Sequence, residues 1–400
     1  MEVESLVPVQ HNAVRHKTSN GLPADGCLNI VTTTRSLEAL AADWRALEQT
    51  CHVPPTVFQS YDWVKAWVDV HLTGETTDQL FIVTGHRASR LVFVMPLLLT
   101  KKLGLRKLSW LTQPIGQYGD LLCDQSVDLN AWTNAAQHLI RNNKVADCLR
   151  LRHVRATSNV GPYAKANWFD GKLNERAPAM DLTRFATEAD YDARYDAEQR
   201  RRRRRIRAKL EKIGPVSFEV LPPEAAQENI KLALEEKVKW LTERGRYNSA
   251  LHCPKHVQFL QSLANLKSTS MKQITTRLSA GDKPISWEVG FLYQGTQYQY
   301  LTAHMAHLTD LSPGRLSFDL AQRLALRDGV KKFDLMIPYD QHKESWASGS
   351  EPVTDYHLPL TLRGALYAHV YLGMARPLMR KIYLRTPQHV LKRLQSVLCY

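Results

Sequence analysis

The 400-residue sequence predicts an α/β (α+β) fold built from two similar domains in tandem. The length exceeds the roughly 150 residues that one domain usually holds. In each half, a pair of β-forming segments is followed by an amphipathic helix and then by a further strand. This repeated order favours mixed, mostly antiparallel sheets flanked by helices.

The first half begins with a stretch that we expect to be disordered, because residues 1–27 show no apolar periodicity. We place the N-terminal domain at residues 28–185. Helices are predicted over 37–47, 61–70 and 129–142, and strands over 28–33, 80–84, 91–99, 107–111, 119–123 and 148–154.

The second half repeats this order, and we place the C-terminal domain at residues 186–358. A basic helical tail follows over residues 359–400. Helices are predicted over 191–213, 224–244, 254–266 and from Ser312 to about 328, and strands over 271–279, 285–293, 296–305 and 333–337.

The formal charge of +14 lies almost entirely in two segments. Residues 200–212 hold nine Lys/Arg and one Glu, and residues 360–400 hold seven Lys/Arg and no acid. The six consecutive arginines Arg200 to Arg205 span more than one and a half helical turns, so they cannot all face one partner. A solvated helix face, a phosphate site and a nucleic-acid contact remain open. No aromatic residue is interleaved for stacking on bases, so nucleic acid is not an expected partner.

The sequence favours a cytoplasmic protein. No apolar run approaches the ~20 residues of a membrane span, and residues 1–20 lack the apolar core of a secretory signal. The basic tail places Leu366, Val370, Ile382 and Val390 at helical spacing. It fits a peripheral contact with an anionic membrane, and docking on a partner and a simply packed helix are the alternatives.

Metal chemistry is not expected. Six cysteines occur without CxxC or Cys/His ligand spacing, which predicts reduced thiols and no zinc site.

Residues 311–346 contain the densest group of candidate functional residues. Ser312 is a suitable N-cap, Pro313 suits the first helical position, and Gly314 leaves the backbone open there. Arg315 follows in the first turn, where a cation is unfavourable unless an anion binds at that end of the helix. The pattern therefore indicates an anionic ligand, with a plain helix cap as the alternative.

A strand with a polar loop follows this helix. Asp334 points away from the apolar side chains of the 333–337 strand, which Pro338 closes. The next five residues, 339–343, are all polar, and α/β sheets often bind ligands at the ends of strands.

The runs SPGRL and FDLMIPYD, followed by Lys343 and Trp346, resemble the signature of the CelD-type cellulose-biosynthesis proteins. That family is a branch of the GNAT acyltransferase superfamily and is related to the Fem peptidyltransferases. The resemblance extends from about residue 37 to residue 346. It implies two GNAT-like domains, acetyl-CoA as acyl donor, and a role in exopolysaccharide or cellulose production.

The resemblance also assigns roles to individual residues. The helix start, with Ser312, Pro313, Gly314 and Arg315, would bind the donor pyrophosphate. The strand ending near Met305 would offer backbone N–H groups to the donor carbonyl. The residues implied for acceptor binding are Asp340, Lys343 and Trp346.

Acyl transfer needs a group that removes a proton from the acceptor. The candidates are Glu288, His304 and Asp334. Each has a structural alternative: a solvated strand position, a hydrogen-bonded core histidine and a loop brace, respectively. Tyr339 is the candidate for returning a proton to the thiolate.

The expected function is thus that of a GNAT-type acyltransferase, with acyl-CoA and a sugar or amine acceptor as partners. It would carry out N- or O-acetyl transfer to a carbohydrate or cell-envelope precursor. The alternatives are a Fem-like transferase dependent on aminoacyl-tRNA and a non-catalytic scaffold of a polysaccharide synthase complex.

Overall fold

The structure is a computed structural model that describes residues 15–16, 21–74, 76–102, 104–171, 175–246, 248, 250–268, 270–375 and 378. Residues 1–27 are predicted to be disordered, and most of residues 1–20 lie outside the described residues. The end of that stretch, Gly26 and Cys27, belongs instead to a strand that begins two residues earlier than predicted. The predicted positions Ile382 and Val390 of the basic tail also lie outside the described residues.

The first half of the chain alternates helices and strands much as predicted. Its helices are α1 (Thr34–Ala39), α2 (Ala41–Glu48), α3 (Tyr61–His71), α4 (Leu129–Asn143) and α5 (Gly161–Asn167). Its strands are β1 (Arg15–His16), β2 (Gly26–Val31), β3 (Gln79–Arg87), β4 (Arg90–Lys102), β5 (Leu105–Trp110), β6 (Leu122–Cys123), β7 (Cys148–Arg155), β8 (Phe169–Asp170) and β9 (Glu175–Asp181).

The second half contains longer helices. These are α6 (Glu188–Ala193), α7 (Ala197–Glu211), α8 (Pro223–Glu243), α9 (Pro254–Ala264), α10 (Pro313–Arg327), α11 (Gln341–Glu344) and α12 (Leu362–Leu366), which continues as a π-helix (Tyr367–Ala375). The strands are β10 (Val216–Val220), β11 (Met271–Ala280), β12 (Lys283–Tyr293), β13 (Thr296–His304), β14 (Lys332–Asp334) and β15 (Gly349–Pro359).

All 15 described strands belong to one sheet. Thirteen follow the order β1-β2-β3-β4-β5-β7-β15-β9-β14-β13-β12-β11-β10, while β6 pairs with β4 and β8 with β15. All neighbouring pairs are antiparallel except β5 with β7 and β13 with β14. The predicted fold class, a mixed and mostly antiparallel sheet flanked by helices, is confirmed. The division into domains at residue 185 stays a prediction, and β15 pairs with both β7 and β9.

Each parallel pair is joined by a connection that contains a helix, as parallel strands require. Helix α4 lies between β5 and β7 in the chain, and α10 lies between β13 and β14. Strand β13 pairs with β14 only from Thr296 to Tyr298. Beyond Tyr298, strand β13 and the segment that follows β14 diverge, which leaves a gap between them near the start of α10.

The largest apolar core joins elements from both halves of the chain. Trp63 on α3 is fully buried, and its ring meets Phe259 of α9 and Phe291 of β12 edge-on at centroid distances of 4.9 and 5.0 Å. Truncating such a side chain typically costs about 3–5 kcal/mol. The shared core therefore holds α3 against the strands that precede α10.

In the first half, the predicted helix over 37–47 is two helices, α1 and α2, and the predicted strand over 119–123 is reduced to β6. In the second half, two predicted elements differ from the structure. The single helix over 191–213 is two helices, because Asp196 caps a new helix by accepting the Gln199 N–H at 2.7 Å. The strand over 333–337 ends at Asp334, because Met336 adopts a left-handed conformation with φ of 60°. The Met336 N–H then donates to Asp334 Oδ1 at 2.8 Å. Both corrections concern local hydrogen bonds that apolar periodicity does not reveal.

Candidate active site

Helix α10 begins at Pro313, as predicted, but Ser312 does not cap it with its side chain. Ser312 has left-handed backbone angles (φ 56°, ψ 45°), and its carbonyl accepts the Arg315 N–H at 3.1 Å instead. Gly314 lies over the ring of His304, since a Cβ built on Gly314 would sit 3.4 Å from His304 Nδ1. The helix start is therefore packed on the end of β13.

A cavity of about 520 Å³ lies beside this first turn, between α7, α10 and residues 340–346. We call it the arginine cavity, because Arg202, Arg203 and Arg315 line it. Arg203 pairs with Asp319 at 3.3 Å, whereas Arg202 and Arg315 have no acidic partner within ion-pair distance in the described ranges. Burial and the neighbouring guanidinium groups lower the pKa of Arg315. The arginine cavity thus holds uncompensated positive charge and suits an anion.

A second cavity of about 380 Å³ lies where β13 and the segment after β14 diverge, and we call it the strand cleft. Gln299 and Thr302 of β13 line one side, and Ile337 and Lys343 line the other. His153 from the first half also contributes to its wall. Over residues 299–304, β13 has no strand partner on its β14 side within the described structure. Its backbone amides at that edge are therefore available to a ligand.

Glu288 on β12 lies directly behind the strand cleft and is only 2% exposed. Its Oε2 accepts hydrogen bonds from Thr302 Oγ1 at 2.5 Å and from Gln299 Nε2 at 2.6 Å. Burial raises the pKa of the Glu288 carboxyl to about 8, although Thr302, Ser317 and the Lys237 ammonium favour its ionised form. Glu288 is a buried acid that changes charge near neutral pH, and it does not lie on the solvated face considered as its alternative.

This raised pKa predicts a dependence of stability on pH. Between about pH 4.5 and about pH 8, folded Glu288 keeps a proton that the unfolded chain releases. The free energy of unfolding should therefore fall as the pH rises through this window, by at most about 1.4 kcal/mol per pH unit from this group. Urea unfolding of the wild type and of Glu288→Gln at several pH values would measure it, and an equal slope in both proteins would contradict the assignment.

His304 lies at the end of β13 and is half-buried. Its Nε2 is 3.2 Å from Thr309 Oγ1, and its ring meets Trp240 edge-on. Burial, together with Lys237 and Arg244, lowers the pKa of His304 to about 4. The imidazole is therefore neutral at physiological pH.

Asp334 is buried at the end of β14, and its Oδ1 accepts the Tyr118 hydroxyl and the Met336 N–H, both at 2.8 Å. These contacts favour the structural alternative for Asp334, in which its carboxylate holds the loop after β14 in place. Tyr339 lies outside the lining of both cavities, and its hydroxyl interacts with Glu344. The structure thus places Glu288 directly behind the strand cleft, bonded to two residues of its wall, whereas Asp334 and Tyr339 do not line the cleft.

The three residues implied for acceptor binding are divided between the cavities. Asp340 and the buried Trp346 line the arginine cavity. Lys343 lines the strand cleft, where its Nζ donates to the carbonyls of Met336 and Pro338 at 2.9 and 3.0 Å. Burial lowers the pKa of Lys343 to about 8. The short helix α11 therefore separates the two cavities.

Sequence reasoning did not single out Thr302, Gln299 or Lys237 and left open the role of the arginine run that contains Arg202, yet all four residues line these cavities. Lys237 carried a detectable signal, because it falls on the same helical face as the buried Ile230 and Leu234 of α8. Its Nζ donates to the Thr302 carbonyl at 3.0 Å. A lysine at an apolar position of a helix is unusual enough to mark a site.

Over the described ranges there is no cluster of three or more His, Cys, Asp or Glu side chains placed to hold a metal ion. Five cysteines are free thiols, and Cys399 lies outside the described residues. In the same ranges, no helix combines the length and the hydropathy required to cross a bilayer.

Comparison with known proteins connects this geometry to a family. Residues 197–344 match the family model described as an acetyltransferase (GNAT) domain. The matched segment contains α7, β13, α10 and β14. These elements contribute most of the residues that line the arginine cavity and the strand cleft. No curated protein matches the sequence.

Several solved structures are similar to the chain. FemX aligns with a TM-score of 0.53 and 10% identity over 82% of this chain and 98% of its own. A tandem GNAT protein from the clavulanic acid biosynthesis pathway aligns at 0.47 and 13%, over 83% and 98%. The C-terminal domain of a putative lysylphosphatidylglycerol synthetase from Agrobacterium fabrum aligns at 0.48 and 10%, over 81% and 92%.

At 10% identity, the likeness to FemX shows the fold alone. The family match is what supports an acyltransferase activity. Residues 197–344 of this chain are thus similar to a GNAT-superfamily acetyltransferase domain.

Proposed function

We propose that the protein transfers an acetyl group from acetyl-CoA to an amine or hydroxyl of a carbohydrate or cell-envelope precursor, and that transfer occurs in the strand cleft. The observation that carries the proposal is the buried Glu288 carboxyl, held by two side chains that line this cleft. The CelD-type resemblance supports a role in exopolysaccharide or cellulose production.

The donor would extend through both cavities. Its phosphates would bind in the arginine cavity, where Arg202 and Arg315 lack acidic partners, beside the positive end of the α10 dipole. Its acyl thioester would pass the first turn of α10 and reach the open edge of β13. Backbone N–H groups along residues 299–304 would stabilise the oxyanion, whereas the Met305 N–H is already bonded to the Ile285 carbonyl at 3.0 Å.

The acceptor proton would pass to Glu288 through Thr302. The Thr302 hydroxyl donates to Glu288, so its oxygen lone pairs are free to accept an N–H or O–H from the cleft. As the acceptor attacks the thioester carbon, Thr302 takes its proton and gives its own to the carboxylate. Lys237 holds the Thr302 carbonyl and so positions the hydroxyl.

The C–S bond then breaks and the thiolate leaves with the bonding pair. Lys343 is suited to return a proton to it, because its ammonium lies in the cleft wall with a pKa lowered to about 8. Tyr339 stays a prediction for this step. Before the next cycle, Glu288 releases its proton to solvent and Lys343 takes one up from solvent.

The proposal is tested by incubating the purified protein with acetyl-CoA, with CoA and with aminoacyl-tRNA, and following thermal stabilisation and native mass. Acetyl-CoA at about a hundred times its Kd should add roughly 2.7 kcal/mol to the free energy of unfolding. Stabilisation by aminoacyl-tRNA alone would favour the Fem-like alternative, and no stabilisation by any donor would favour the scaffold. Release of CoA in the presence of amino sugars would then identify the acceptor.

A substitution at the helix start provides a direct check. Gly314→Trp should abolish the stabilisation by acetyl-CoA, because even a Cβ at Gly314 would lie 3.4 Å from the His304 ring and an indole would fill the donor path. Gly329→Trp is the matched control, since Gly329 lies at the other end of α10 with open space around it. Gly329 has a φ of 72°, which a tryptophan rarely adopts, so we expect Gly329→Trp to be less stable than the wild type. Its stabilisation by acetyl-CoA should nevertheless equal that of the wild type. An unchanged acetyl-CoA shift in Gly314→Trp would remove the donor assignment.

A further inference from the structure

Lys343 is held in the wall of the strand cleft by neutral oxygens. Its side chain is half-buried, and its Nζ donates to the carbonyls of Met336 and Pro338 at 2.9 and 3.0 Å. Among the described residues, no carboxylate lies within ion-pair distance of this nitrogen. Because no counter-ion fixes its charge, Lys343 can lose its proton inside the folded protein.

Burial and nearby charges bring Lys343 close to the loss of that proton. Burial has the largest effect and lowers the pKa of Lys343 to about 8. Of the charged groups that face it, the carboxylates of Asp334, Asp340 and Glu175 favour the ammonium form. The ammonium of Lys237 on α8 disfavours it. At pH 8, about half of the Lys343 side chains are therefore neutral amines, the form of lysine that acts as a nucleophile.

The two carbonyl contacts also determine the direction in which neutral Nζ can react. A neutral amine nitrogen has four tetrahedral directions, which are taken by Cε, two N–H groups and one lone pair. When both N–H groups point at the carbonyls of Met336 and Pro338, the lone pair takes the fourth direction. No other group in the described part of the chain makes a hydrogen bond with this nitrogen. The lone pair is therefore available to a ligand in the strand cleft.

The donor of the proposed reaction would bring its thioester to this nitrogen, and the present inference rests on that proposed function. There, Lys343 protonates the sulfur that leaves. The carbonyl carbon of acetyl-CoA is bonded directly to the same sulfur, so an amine that reaches the sulfur is also close to the carbon. A Lys343 side chain left neutral after one turnover therefore meets the next acetyl-CoA as a nucleophile.

We propose that acetyl-CoA acetylates Lys343 itself when no acceptor occupies the strand cleft. The lone pair of Nζ attacks the thioester carbon, the C–N bond forms, and the C–S bond breaks with its electron pair going to sulfur. The proton that Nζ loses passes to the thiolate, so the products are N-acetyl-lysine and the free thiol of CoA. The amide has no proton to give at neutral pH. Acetylation thus removes the proposed proton donor and switches the transferase off when acceptor is scarce.

Lys237 is the second lysine of the strand cleft and provides an internal comparison. Burial lowers its pKa too, but the Glu288 carboxylate favours its charged form. Its ammonium also lies 4.9 Å from the centre of the Trp240 ring, a contact that stabilises a cation. Its Nζ donates to the Thr302 carbonyl at 3.0 Å. We therefore expect acetylation on Lys343 and not on Lys237.

The test is incubation of the full-length protein with acetyl-CoA and no acceptor, followed by intact mass measurement and peptide mapping. We expect one acetyl group per chain, on Lys343, at a level at least about tenfold above that on the exposed Lys331, because the bound donor lies beside Lys343. Lys343→Arg keeps a cation in the cleft and should gain no acetyl group. Arg202→Gln/Arg315→Gln, which weakens donor binding, should acetylate Lys343 at least about tenfold more slowly at low acetyl-CoA but leave Lys331 unchanged.

Thermal stabilisation by acetyl-CoA separates a failure of this proposal from a failure of the proposed function. Stabilisation without acetylation of Lys343 would overturn self-acetylation and leave the donor site in place. Neither stabilisation nor acetylation would remove both. Acetylation mainly on Lys237, equal acetylation of Lys343 and Lys331, or an unchanged rate in the arginine variant would also overturn self-acetylation.

Discussion

Glu288→Gln is expected to lower kcat for acyl transfer by about 10²- to 10⁴-fold, the usual contribution of a positioned base. The substituted amide keeps the size of the carboxyl and its contacts with Thr302 and Gln299 but cannot take a proton. Donor affinity should not change, because Glu288 lies behind the strand cleft and lines neither cavity. The measurement is steady-state CoA release together with acetyl-CoA titration.

The pH profile distinguishes Glu288 from His304. With a pKa raised to about 8, Glu288 is ionised only toward alkaline pH, so kcat/KM should rise with pH up to about 8 and then fall as Lys343, whose pKa is lowered to about 8, loses its proton. If His304 is the base, its pKa of about 4 would place the rise of kcat/KM about four pH units lower. A rate that is flat between about pH 5 and about pH 8 would contradict the assignment to Glu288.

Two threonines provide a matched control. Both Thr302 of β13 and Thr276 of β11 pair with Glu288 across the sheet. Thr302 Oγ1 bonds to the carboxyl, whereas the buried Thr276 hydroxyl has no hydrogen-bond partner in the described structure. Thr302→Val should therefore lose most of the activity and Thr276→Val little of it. Equal losses would indicate a structural effect instead of a proton path.

The second large effect is expected in the arginine cavity. Arg202→Gln/Arg315→Gln should weaken acetyl-CoA binding by about 100-fold, since each charge-assisted hydrogen bond contributes about 1.5–3 kcal/mol and only part of it is lost. Isothermal titration at two salt concentrations measures the change, and the variant should show a weaker dependence on salt.

The run of arginines supplies its own control. A further cavity beside α7 is lined by Arg200, Arg204 and Arg207. Arg201 and Arg205 line neither that cavity nor the arginine cavity. Arg201→Gln/Arg205→Gln removes the same charge and should leave acetyl-CoA affinity within about twofold of the wild type. Similar weakening in both double variants would mean that net charge alone attracts the donor.

Apolar spacing predicted α10 but only part of the side that it buries. Of the four residues on the predicted apolar face, Leu316 and Ala321 are buried but Leu320 and Leu324 are half-buried, whereas Ser317 and Gln322 are fully buried. Gln322 is buried because its amide donates to the Trp346 carbonyl at 3.0 Å and its carbonyl accepts the Tyr191 hydroxyl at 2.6 Å. Such partners come from distant parts of the chain, so a periodicity argument cannot supply them.

The pairing of Glu288 with Thr302 could not have been predicted either. The hairpin turn between Tyr293 and Thr296, continued without interruption, would place Leu301 opposite Glu288. The register shifts by one residue between Val289 and Gly290, and Thr302 faces Glu288 instead. A shift of one residue moves every side chain beyond it to the other face of the sheet, and the local sequence does not indicate such a shift.

The strands β9 and β15 were missed for a different reason. Both contain proline and lack the alternation of apolar and polar residues that marks a strand with one buried face. Their pairing with each other and with β7 and β14 is what makes them strands. Tertiary context decided their conformation, as is common for β-structure.

The place of β15 in the sheet affects how this protein can be synthesised. The edge of β7 is complete only when β15 pairs with it, yet almost 200 residues separate Arg155 from Gly349 in the chain. At ~5–20 residues per second, a ribosome needs roughly 10–40 s to translate that interval. During this time a long hydrogen-bonding edge of the nascent chain lacks its partner, so chaperone demand and the toxicity of premature termination should both peak before residue 349.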